Sequence, residues 1–472
     1  MARGTTVDTD YLVVGAGAMG MAFTDALVDH ADVHVTVVDR RHAAGGHWLD
    51  AYPFVQLHQA SVFYGAASTV LGTGALQTTG PETGLQQRAR VSEIRAYYDQ
   101  LLFGRLVGSG RVSFLGRSDY HADVHAGATR HVVTSLVSGD SVEVTVRRRV
   151  VDASYLAPAI PATTPPPFTV AAGADVVSIH ELAAAARVAS CYAIVGSGKT
   201  ATDAILWLLG HGVSPDRVIW VRPRDPWMLD RATVQPDPVV ALGLSADILE
   251  AAAAADSVDD LFLRLEAARV MCRIDRDVTP AMAKTPTLGR WELERLRTIE
   301  NVVRLGHVAH VTERELVLER GSVALPRGAR VVHCAASGLQ YPPATPIWSP
   351  DRIRVQLVRA GFPCFNAALV GYVEATRDDD RERNRLCPPN IYPDTPASWA
   401  AITARGIAAA RTFGAEPDIA AWANRCALNP SRLDASRAGE PAVVAARARL
   451  AAAEPGVARL AELGRESARD RP

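Results

Sequence analysis

Two glycine-rich segments contain residue types at the spacing that holds a dinucleotide. In the first, an apolar run ends at Gly15 and the chain continues through Gly17 to Gly20, a G-x-G-x-x-G pattern. Glycines at these places allow a tight turn, close approach of the backbone to a pyrophosphate, and close packing of a helix on a strand. The free amide groups at the start of the following helix, at Ala18 and Met19, then bind phosphate.

An acidic residue closes the first segment. Asp39 follows the apolar run Val33–Val38, at a place where a carboxylate accepts hydrogen bonds from the hydroxyl groups of a ribose. Arg40 follows Asp39 and is a further candidate for nucleotide binding. Strand, glycine turn, helix, strand and terminal acid together predict a complete dinucleotide-binding unit.

The second segment repeats the pattern with a different ending. It reads Gly196-Ser197-Gly198-Lys199-Thr200-Ala201, and alanine is allowed at the third glycine position. The next apolar run ends in Arg222-Pro-Arg224 instead of an acid. Because a guanidinium group pairs with phosphate in a bidentate fashion, these arginines favour NADP(H) over NAD(H). Exposed arginines without a ligand are the alternative in this arginine-rich chain.

Gly198-Lys199-Thr200 also resembles the end of a nucleoside triphosphate-binding loop. That loop requires a glycine five residues before Gly198, and Ala193 stands there. We therefore expect no ATPase, and we expect Lys199 to face the phosphates of a nicotinamide dinucleotide.

The elements that position these residues follow from hydrophobic periodicity. Between the two segments we expect a helix near 90–102 and a small antiparallel sheet near 111–117, 130–137 and 142–151. The proline-rich stretch Pro158–Phe168 predicts an interdomain linker. Farther along the chain, the hydrophobic pattern predicts helices over 240–300, strands over 301–335, and alanine-rich helices packed on the surface beyond about 396.

Composition excludes several classes of protein. The 472 residues include 50 basic and 51 acidic side chains, and this balance argues against nucleic-acid and membrane partners. The six cysteines form no C-x-x-C pair, and the apolar run Tyr11–Leu27 contains Asp25 and three glycines. We therefore expect a soluble, cytoplasmic protein. The spacing of His121, His125 and His131 does not indicate a metal site.

Finer motifs resemble those of a known family. The matching segments are Gly45-Gly46-His47-Trp48, the stretch with Tyr52, Pro53, His58, Ser61 and Tyr64, the run from Arg224 through Trp227 to Arg231, and Ala336-Ser337-Gly338. They resemble, in order, a G-G-x-W element, a flavin-lining segment, an R-x-x-W-x-x-P-R element and a late A-T-G element. On these motifs the chain resembles the class B flavoprotein monooxygenases, the flavin-containing and Baeyer–Villiger group.

The resemblance implies an α/β fold with two Rossmann-like, three-layer dinucleotide-binding domains, the second inserted in the first, plus C-terminal helices. FAD would bind the first domain and NADPH the second. The implied boundaries are 1–168 and 321–395 for the FAD domain, 169–320 for the NADP domain with a helical insertion at 240–300, and 396–472 for the C-terminal helices. The implied FAD contacts are Gly15, Gly17, Ala18, Met19, Gly20, Asp39, Arg40, Gly46, His47, Trp48, His58, Gln59 and Gly338. The implied NADPH contacts are Gly196, Ser197, Gly198, Lys199, Thr200, Arg222 and Arg224.

The activity implied by the resemblance is insertion of one oxygen atom from O2 into a small-molecule substrate, at nitrogen or carbon. NADPH would reduce the flavin, which would then form a C4a-(hydro)peroxyflavin with O2. His58 and Tyr64 are the candidate catalytic residues, since a histidine there could bond the flavin or tune a proton near neutral pH. A structural histidine is the alternative at His58.

Some family features differ in this chain. The family's F-x-G-x-x-x-H element is missing, and Ala153-Ser-Tyr155 replaces the first A-T-G. An FAD-dependent NAD(P)H oxidoreductase without oxygen transfer is therefore the first alternative, and a nucleotide-binding regulator without turnover is the second. The lack of a cysteine pair excludes disulfide-reductase chemistry, which needs two thiols beside the flavin. A homo-oligomer is left open.

Overall fold

The computed structural model describes residues 6–125, 128–336 and 338–469. Its first part forms the elements β1 (Thr6–Val14), α1 (Ala18–His30), β2 (Val35–Val38), α2 (Val91–Asp99), β3 (Val112–Leu115), β4 (Ser118–His125), β5 (Ala128–Ser135) and β6 (Ser141–Asp152). The predicted strand–turn–helix–strand unit at the amino end is confirmed, as is the helix near 90–102. The three predicted strands form as β3, β5 and β6, but they do not make a separate antiparallel sheet, because β3 pairs in parallel with β2 and only β5 and β6 are antiparallel.

The first sheet is parallel at its centre. β1 lies between β2 and β6 and runs parallel to both, while β4 and β5 add an antiparallel extension to β6. Tyr11 and Val13 of β1 face the core formed with α1, whereas Leu12 faces Val133 and Val144 on the other side. Both faces of β1 are therefore covered, which explains why its sequence is continuously apolar.

The second part forms a second parallel sheet. Its elements are β7 (Thr169–Val170), β8 (Val176–Ser178), α3 (Ile179–Ala184), β9 (Tyr192–Val195), α4 (Lys199–Gly210), β10 (Val218–Val221), β11 (Pro226–Asp230), α5 (Pro238–Ala254), α6 (Val258–Ala267), β12 (Met271–Arg273), β13 (Met282–Leu288), α7 (Arg290–Leu296), β14 (Val302–Val303), β15 (Val308–Val311), β16 (Glu315–Leu318), β17 (Gly321–Ala324) and β18 (Arg330–His333). The strand order is β14–β10–β9–β18–β8, and α4 and the antiparallel strands β15 and β16 cover opposite faces.

The expected helical insertion is helical only in part. α5, α6 and α7 are present, but residues 271–273 and 282–288 form β12 and β13. These two strands flank β11, with β12 antiparallel and β13 parallel to it. The helical prediction is therefore wrong over these ranges, because pairing with a strand more than 40 residues away along the chain overrides the local pattern.

The chain then returns to the first sheet. β19 (Trp348–Ser349), β20 (Arg352–Arg354), α8 (Pro363–Thr376) and α9 (Asp380–Leu386) follow, and β20 pairs in parallel with β6. The second unit is therefore inserted in the first, as the resemblance implied. Helix α8 packs against α1 beneath the first sheet.

Four helices end the described chain: α10 (Pro396–Gly414), α11 (Pro417–Arg425), α12 (Pro441–Ala452) and α13 (Gly456–Arg469). The prediction that the C-terminal helices pack on the surface is wrong for α10 and α13, which contribute to a buried core. Trp399 of α10 meets Phe262 of α6 with ring centroids 5.4 Å apart, and Leu460 of α13 joins the same buried cluster. The C-terminal helices thus complete the core of the insertion. In the part of the chain that the structure describes, no helix has the length and apolar character needed to cross a bilayer.

Candidate functional site

The first glycine turn lies at the carboxyl end of β1 and is held by Asp39. Gly15 has a φ of +106°, a backbone conformation that favours glycine. Asp39 Oδ2 accepts a hydrogen bond from the backbone amide of Ala16 at 2.7 Å, and Oδ1 accepts one from the amide of Arg41 at 2.7 Å. A Cβ atom at Gly20 would lie 1.9 Å from the carbonyl oxygen of Gly15, so the close approach of α1 to β1 requires this glycine.

The Gly45–Trp48 segment lies against that turn. The amide of Gly45 donates to the carbonyl of Ala16 at 2.8 Å, and a Cβ at Gly46 would lie 2.9 Å from the Cα of Gly17. The two backbones therefore form a cradle without side chains. His47 packs beside Trp48 with ring centroids 4.8 Å apart, and burial, reinforced by Arg41, lowers the pKa of His47 to about 4. This imidazole is neutral at pH 7.

A cavity of about 430 Å³ opens beside the first turn, and this volume falls within the range of small-molecule sites. Gly15, Asp39 and Arg40 line it together with Ser118 and Arg352. These residues come from different strand ends and meet at the carboxyl edge of the sheet, where ligands of open α/β sheets bind.

The remaining candidates for the first site are spread around this edge. Met19 packs beside Leu156 and Tyr392, and Gln59 is buried in the segment leading to Ser61. The carbonyl of Gly338 accepts a hydrogen bond from the amide of Ala159 at 2.8 Å, which ties the return of the chain to the linker. Ser337, the middle residue of the A-T-G-like element, lies outside the described residues.

The second glycine turn has the same position at the end of β9. Gly196 has a φ of +131°, and its carbonyl accepts a hydrogen bond from Trp220 Nε1 at 2.8 Å. Ser197 is buried, Gly198 precedes α4, and Thr200 lies in its first turn. The amide groups at the start of α4 therefore meet the requirement for a phosphate site.

Lys199 and Tyr52 share one carboxylate at the contact between the two units. The Lys199 Nζ lies 2.5 Å from Asp203 Oδ2, the oxygen to which the Tyr52 hydroxyl donates at 2.5 Å. Phe54, two residues after Tyr52, stacks on Trp207 of α4 with centroids 4.9 Å apart. The start of α4 is thus docked on the flavin-lining segment identified from the sequence.

Arg222 and Arg224 lie in different surroundings. Arg222 is 2% exposed, stacks on Trp220 at 4.6 Å, and places Nη1 3.2 Å from Asp225 Oδ1. Burial lowers the pKa of Arg222 to about 10, so the side chain remains charged at pH 7. The Arg224 guanidinium instead pairs with Asp394 at 2.9 Å.

Arg222 also lines a cavity of about 520 Å³ that contains three more arginines, Arg276, Arg297 and Arg304. Asp275 and Glu300 share the lining, and Arg304 binds Asp275 at 2.6 Å. Four guanidinium groups against these carboxylates give the cavity the charge expected of an anion site.

His58 lies between the two units, in a partly buried position. Its Nε2 is 3.2 Å from the Tyr64 hydroxyl, and its carbonyl accepts a hydrogen bond from Arg231 Nε at 2.8 Å. Burial is the main cause that lowers the pKa of His58 well below its ordinary value, and the cationic groups of Lys199, Arg231 and Arg88 add to it. Burial raises the pKa of Tyr64, so the phenol keeps its proton. The structure thus brings together the two candidate catalytic residues.

A buried ionic cluster supports His58, and sequence analysis did not find it. Arg231 contacts Glu82 and places Nη2 2.6 Å from Glu292 Oε2, while Arg88 Nη2 lies 2.9 Å from Glu82 Oε2. All four side chains are at least nine-tenths buried. Arg231 was noticed through its motif, but its partners lie some 60 and 150 residues away along the chain and carry no local signal.

Comparisons with known proteins give the family. Residues 13–72 match the NAD(P)-binding Rossmann-like domain family. The chain is 40% identical over 427 residues to the uncharacterized protein Rv2000 of Mycobacterium tuberculosis strain H37Rv, covering 90% of this chain and 78% of that protein. The uncharacterized protein Mb2023 of Mycobacterium bovis matches with the same identity and coverage. The chain belongs to their family.

Solved structures share the fold of this chain. An oxidized steroid monooxygenase bound to NADP superposes with a TM-score of 0.50 at 14% identity, covering 78% of this chain and 85% of that one. The open crystal structure of cyclohexanone monooxygenase gives a TM-score of 0.49 at 13% identity, with 78% and 88% covered. The predicted fold, two Rossmann-like units with the second inserted in the first, is confirmed.

Proposed function

We propose that the protein is an FAD- and NADPH-dependent monooxygenase that inserts one oxygen atom from O2 into a small-molecule substrate, at nitrogen or carbon. The observation that carries this proposal is the docking of α4, which follows the second glycine turn, on the first unit: Tyr52 donates to Asp203, the carboxylate that Lys199 also binds. A dinucleotide on each unit would extend toward this junction.

The first cradle fits FAD. The close approach of Gly46 to Gly17 leaves a surface of bare backbone, which a pyrophosphate requires. Asp39 has lone pairs left to accept a ribose hydroxyl after its two backbone bonds. The proposed FAD contacts remain those inferred from the sequence: Gly15, Gly17, Ala18, Met19, Gly20, Asp39, Arg40, Gly46, His47, Trp48, His58, Gln59 and Gly338.

The second turn fits NADPH. Gly196, Ser197, Gly198, Lys199 and Thr200 are the proposed contacts of its pyrophosphate. For the 2′-phosphate we propose Arg222, supported by the arginine-lined cavity, with Arg224 as the second sequence candidate. Arg276 and Arg304 line the same cavity and extend this proposal.

Bound FAD would accept a hydride from NADPH and activate O2, because this chemistry belongs to the cofactor. The chain's own residues would bind and orient the cofactors and shield them from water. Neutral His47 and Trp48, which pack on each other beside the cradle, would shield a bound flavin from water. His58 and Tyr64 hold a proton at the junction of the units, each in its neutral form.

Isotopically labelled O2 tests this function. The purified, FAD-loaded protein would be supplied with NADPH and a panel of amines and ketones. We expect one labelled oxygen atom in an organic product for each NADPH consumed. Consumption of NADPH that yields only hydrogen peroxide across the panel would contradict oxygen transfer and support an NAD(P)H oxidoreductase. A protein that binds both nucleotides without consuming NADPH would support a regulator.

A further inference from the structure

His58 belongs to the first unit but is held by the second. Thr287, at the end of β13, donates its backbone amide to His58 Nδ1 at 3.3 Å, and its hydroxyl donates to the His58 carbonyl. The Arg231 guanidinium binds the same carbonyl at 2.8 Å. Thr287 is fully buried, so no solvent competes for these bonds.

These contacts fix which ring nitrogen carries the proton. A backbone amide can only donate, so Nδ1, which faces the Thr287 amide, must be the unprotonated nitrogen. A neutral imidazole has one ring proton, which therefore lies on Nε2. The neutral form is the stable one here, since burial disfavours a charged ring and the charged groups facing it, Lys199, Arg231 and Arg88, are all cations.

The tautomer in turn orients Tyr64. Because His58 Nε2 lies 3.2 Å from the phenolic oxygen, the Nε2 proton is donated to that oxygen. The phenol then has an acceptor site filled, and its own proton points away from His58. The Tyr64 ring packs against the buried cluster that Val62 and Phe63 form with Val234 of the second unit.

We propose that Thr287 is a positioning residue, which holds His58 as the Nε2-protonated tautomer and thereby makes Tyr64 a hydrogen-bond donor in the site. The tautomer follows from the contacts alone. The use of the Tyr64 proton, as a donor to an oxygen atom of the flavin or of the substrate, rests on the proposed monooxygenase function.

The ionic cluster explains how the arrangement stays in place. Arg231 is held by Glu82 on one side and Glu292 on the other, so its Nε remains aimed at the His58 carbonyl. With the carbonyl and Nδ1 both bound by the second unit, the ring cannot turn over without breaking buried hydrogen bonds. Each such loss leaves a buried polar group without a hydrogen-bond partner, which disfavours the turned ring.

Nuclear magnetic resonance of the full-length protein labelled with nitrogen-15 histidine reports the tautomer directly. The chain has 13 histidines, and the His58→Gln variant identifies the His58 signals by their disappearance. His211 serves as an internal reference, because its Nδ1 lies 2.8 Å from the Trp207 carbonyl and must carry the proton. We expect His58 at pH 7 to be protonated on Nε2 only. Protonation on Nδ1, or on both nitrogens, would overturn the proposal.

Two substitutions separate the roles of Thr287. Thr287→Val removes the hydroxyl but keeps the amide, so we expect the His58 tautomer to be unchanged. A change of tautomer in this variant would assign the effect to the hydroxyl and contradict the proposal. Thr287→Pro removes the amide, and a folded variant should lose the preference for Nε2. If that variant does not fold, the wild-type and valine spectra still decide the question.

Activity tests the part played by Tyr64. Tyr64→Phe should still bind flavin but lower the ratio of product to hydrogen peroxide by roughly tenfold, as expected from loss of one hydrogen bond. His58→Gln keeps an N–H at a similar place and should retain more of that ratio than His58→Leu. An unchanged ratio in Tyr64→Phe would reject the donor role. If the wild type transfers no oxygen, the proposed function fails while the spectra still decide the tautomer.

Discussion

Arg222 and Arg224 stand two positions apart in the sequence, yet the structure gives them different partners. Arg222 is enclosed and stacks on Trp220, in the wall of a cavity with three other arginines. Arg224 is half-exposed and bound to Asp394. The sequence identified both because a guanidinium after the second strand suits a 2′-phosphate, but their surroundings depend on loops far away along the chain. We therefore expect Arg222 to contribute more to cofactor choice.

The kinetic constants for NADPH and NADH test this difference. Arg222→Lys keeps the charge but loses the planar fork that binds phosphate, so the KM for NADPH should rise about tenfold or more, as for a bond to a charged group. The KM for NADH, which lacks the phosphate, should change less than about twofold by the same reasoning. Arg224→Ala is the matched control. Equal effects of the two variants, or an equal effect on both cofactors, would reject the assignment of Arg222 to the phosphate.

Among the elements, the contact of α1 with β1 is the one most sensitive to a single atom. The Gly20 Cα faces the carbonyl of Gly15, and an added Cβ would lie 1.9 Å from that oxygen. Gly20→Ala must therefore displace α1 from the first sheet, and overpacking of this kind costs about 1–3 kcal/mol. Because α1 also presents the proposed phosphate site of the first unit, we expect both a lower Tm and a large loss of bound flavin.

Gly210→Ala is the matched control for that variant. Gly210 is the last residue of α4, and a Cβ there would meet no atom within 4 Å. Alanine is favoured over glycine in helices, so Tm should stay the same or rise slightly. Thermal unfolding and the flavin absorbance per protein measure both effects. Full flavin content in Gly20→Ala would show that the spacing of α1 and β1 is not needed for the cradle.

The sequence predicts an element well when neighbouring residues determine it, and poorly when the element depends on pairing or packing with distant parts of the chain. β1, α1 and β2, and again β9, α4 and β10, follow from short apolar runs around glycine turns. β12 and β13 were missed because they exist through pairing with β11. The role of α10 was missed as well, since its alanine-rich sequence resembles a surface helix, whereas Trp399 fills the core of the insertion. At the site, His58 and Tyr64 were found from a motif, but Thr287 has no motif to mark it.

On the scale of the whole molecule, the contacts that join the nucleotide-binding units include two further sets besides the bonds from Thr287 to His58. One is the docking of Tyr52 and Phe54 on α4. The other is the cluster of two arginines and two glutamates, in which Glu82 and Arg88 come from the first unit and Arg231 and Glu292 from the second. Buried charges carry a large desolvation cost, so removal of one member leaves another unpaired and is expensive. The cluster therefore fixes one relative orientation of the units.

Glu82→Gln tests whether this cluster holds the molecule together. Burial raises the pKa of Glu82, but Arg231 and Arg88 outweigh burial, and the pKa lies below the ordinary 4.5. A carboxylate with a lowered pKa stabilises the fold above its unfolded value, and that stability is lost as the pH falls through the folded value. The variant should have a lower free energy of unfolding at pH 7, by about 3–5 kcal/mol, and a shallower decline of Tm below pH 4.5 than the wild type.

Glu440→Gln is the control for this variant, because Glu440 forms a surface pair with Arg437; it should leave Tm unchanged at pH 7. If Glu82→Gln unfolds like the wild type at both pH values, the junction depends on the docking of Tyr52 and Phe54 instead, and the support for His58 must come from Thr287 alone.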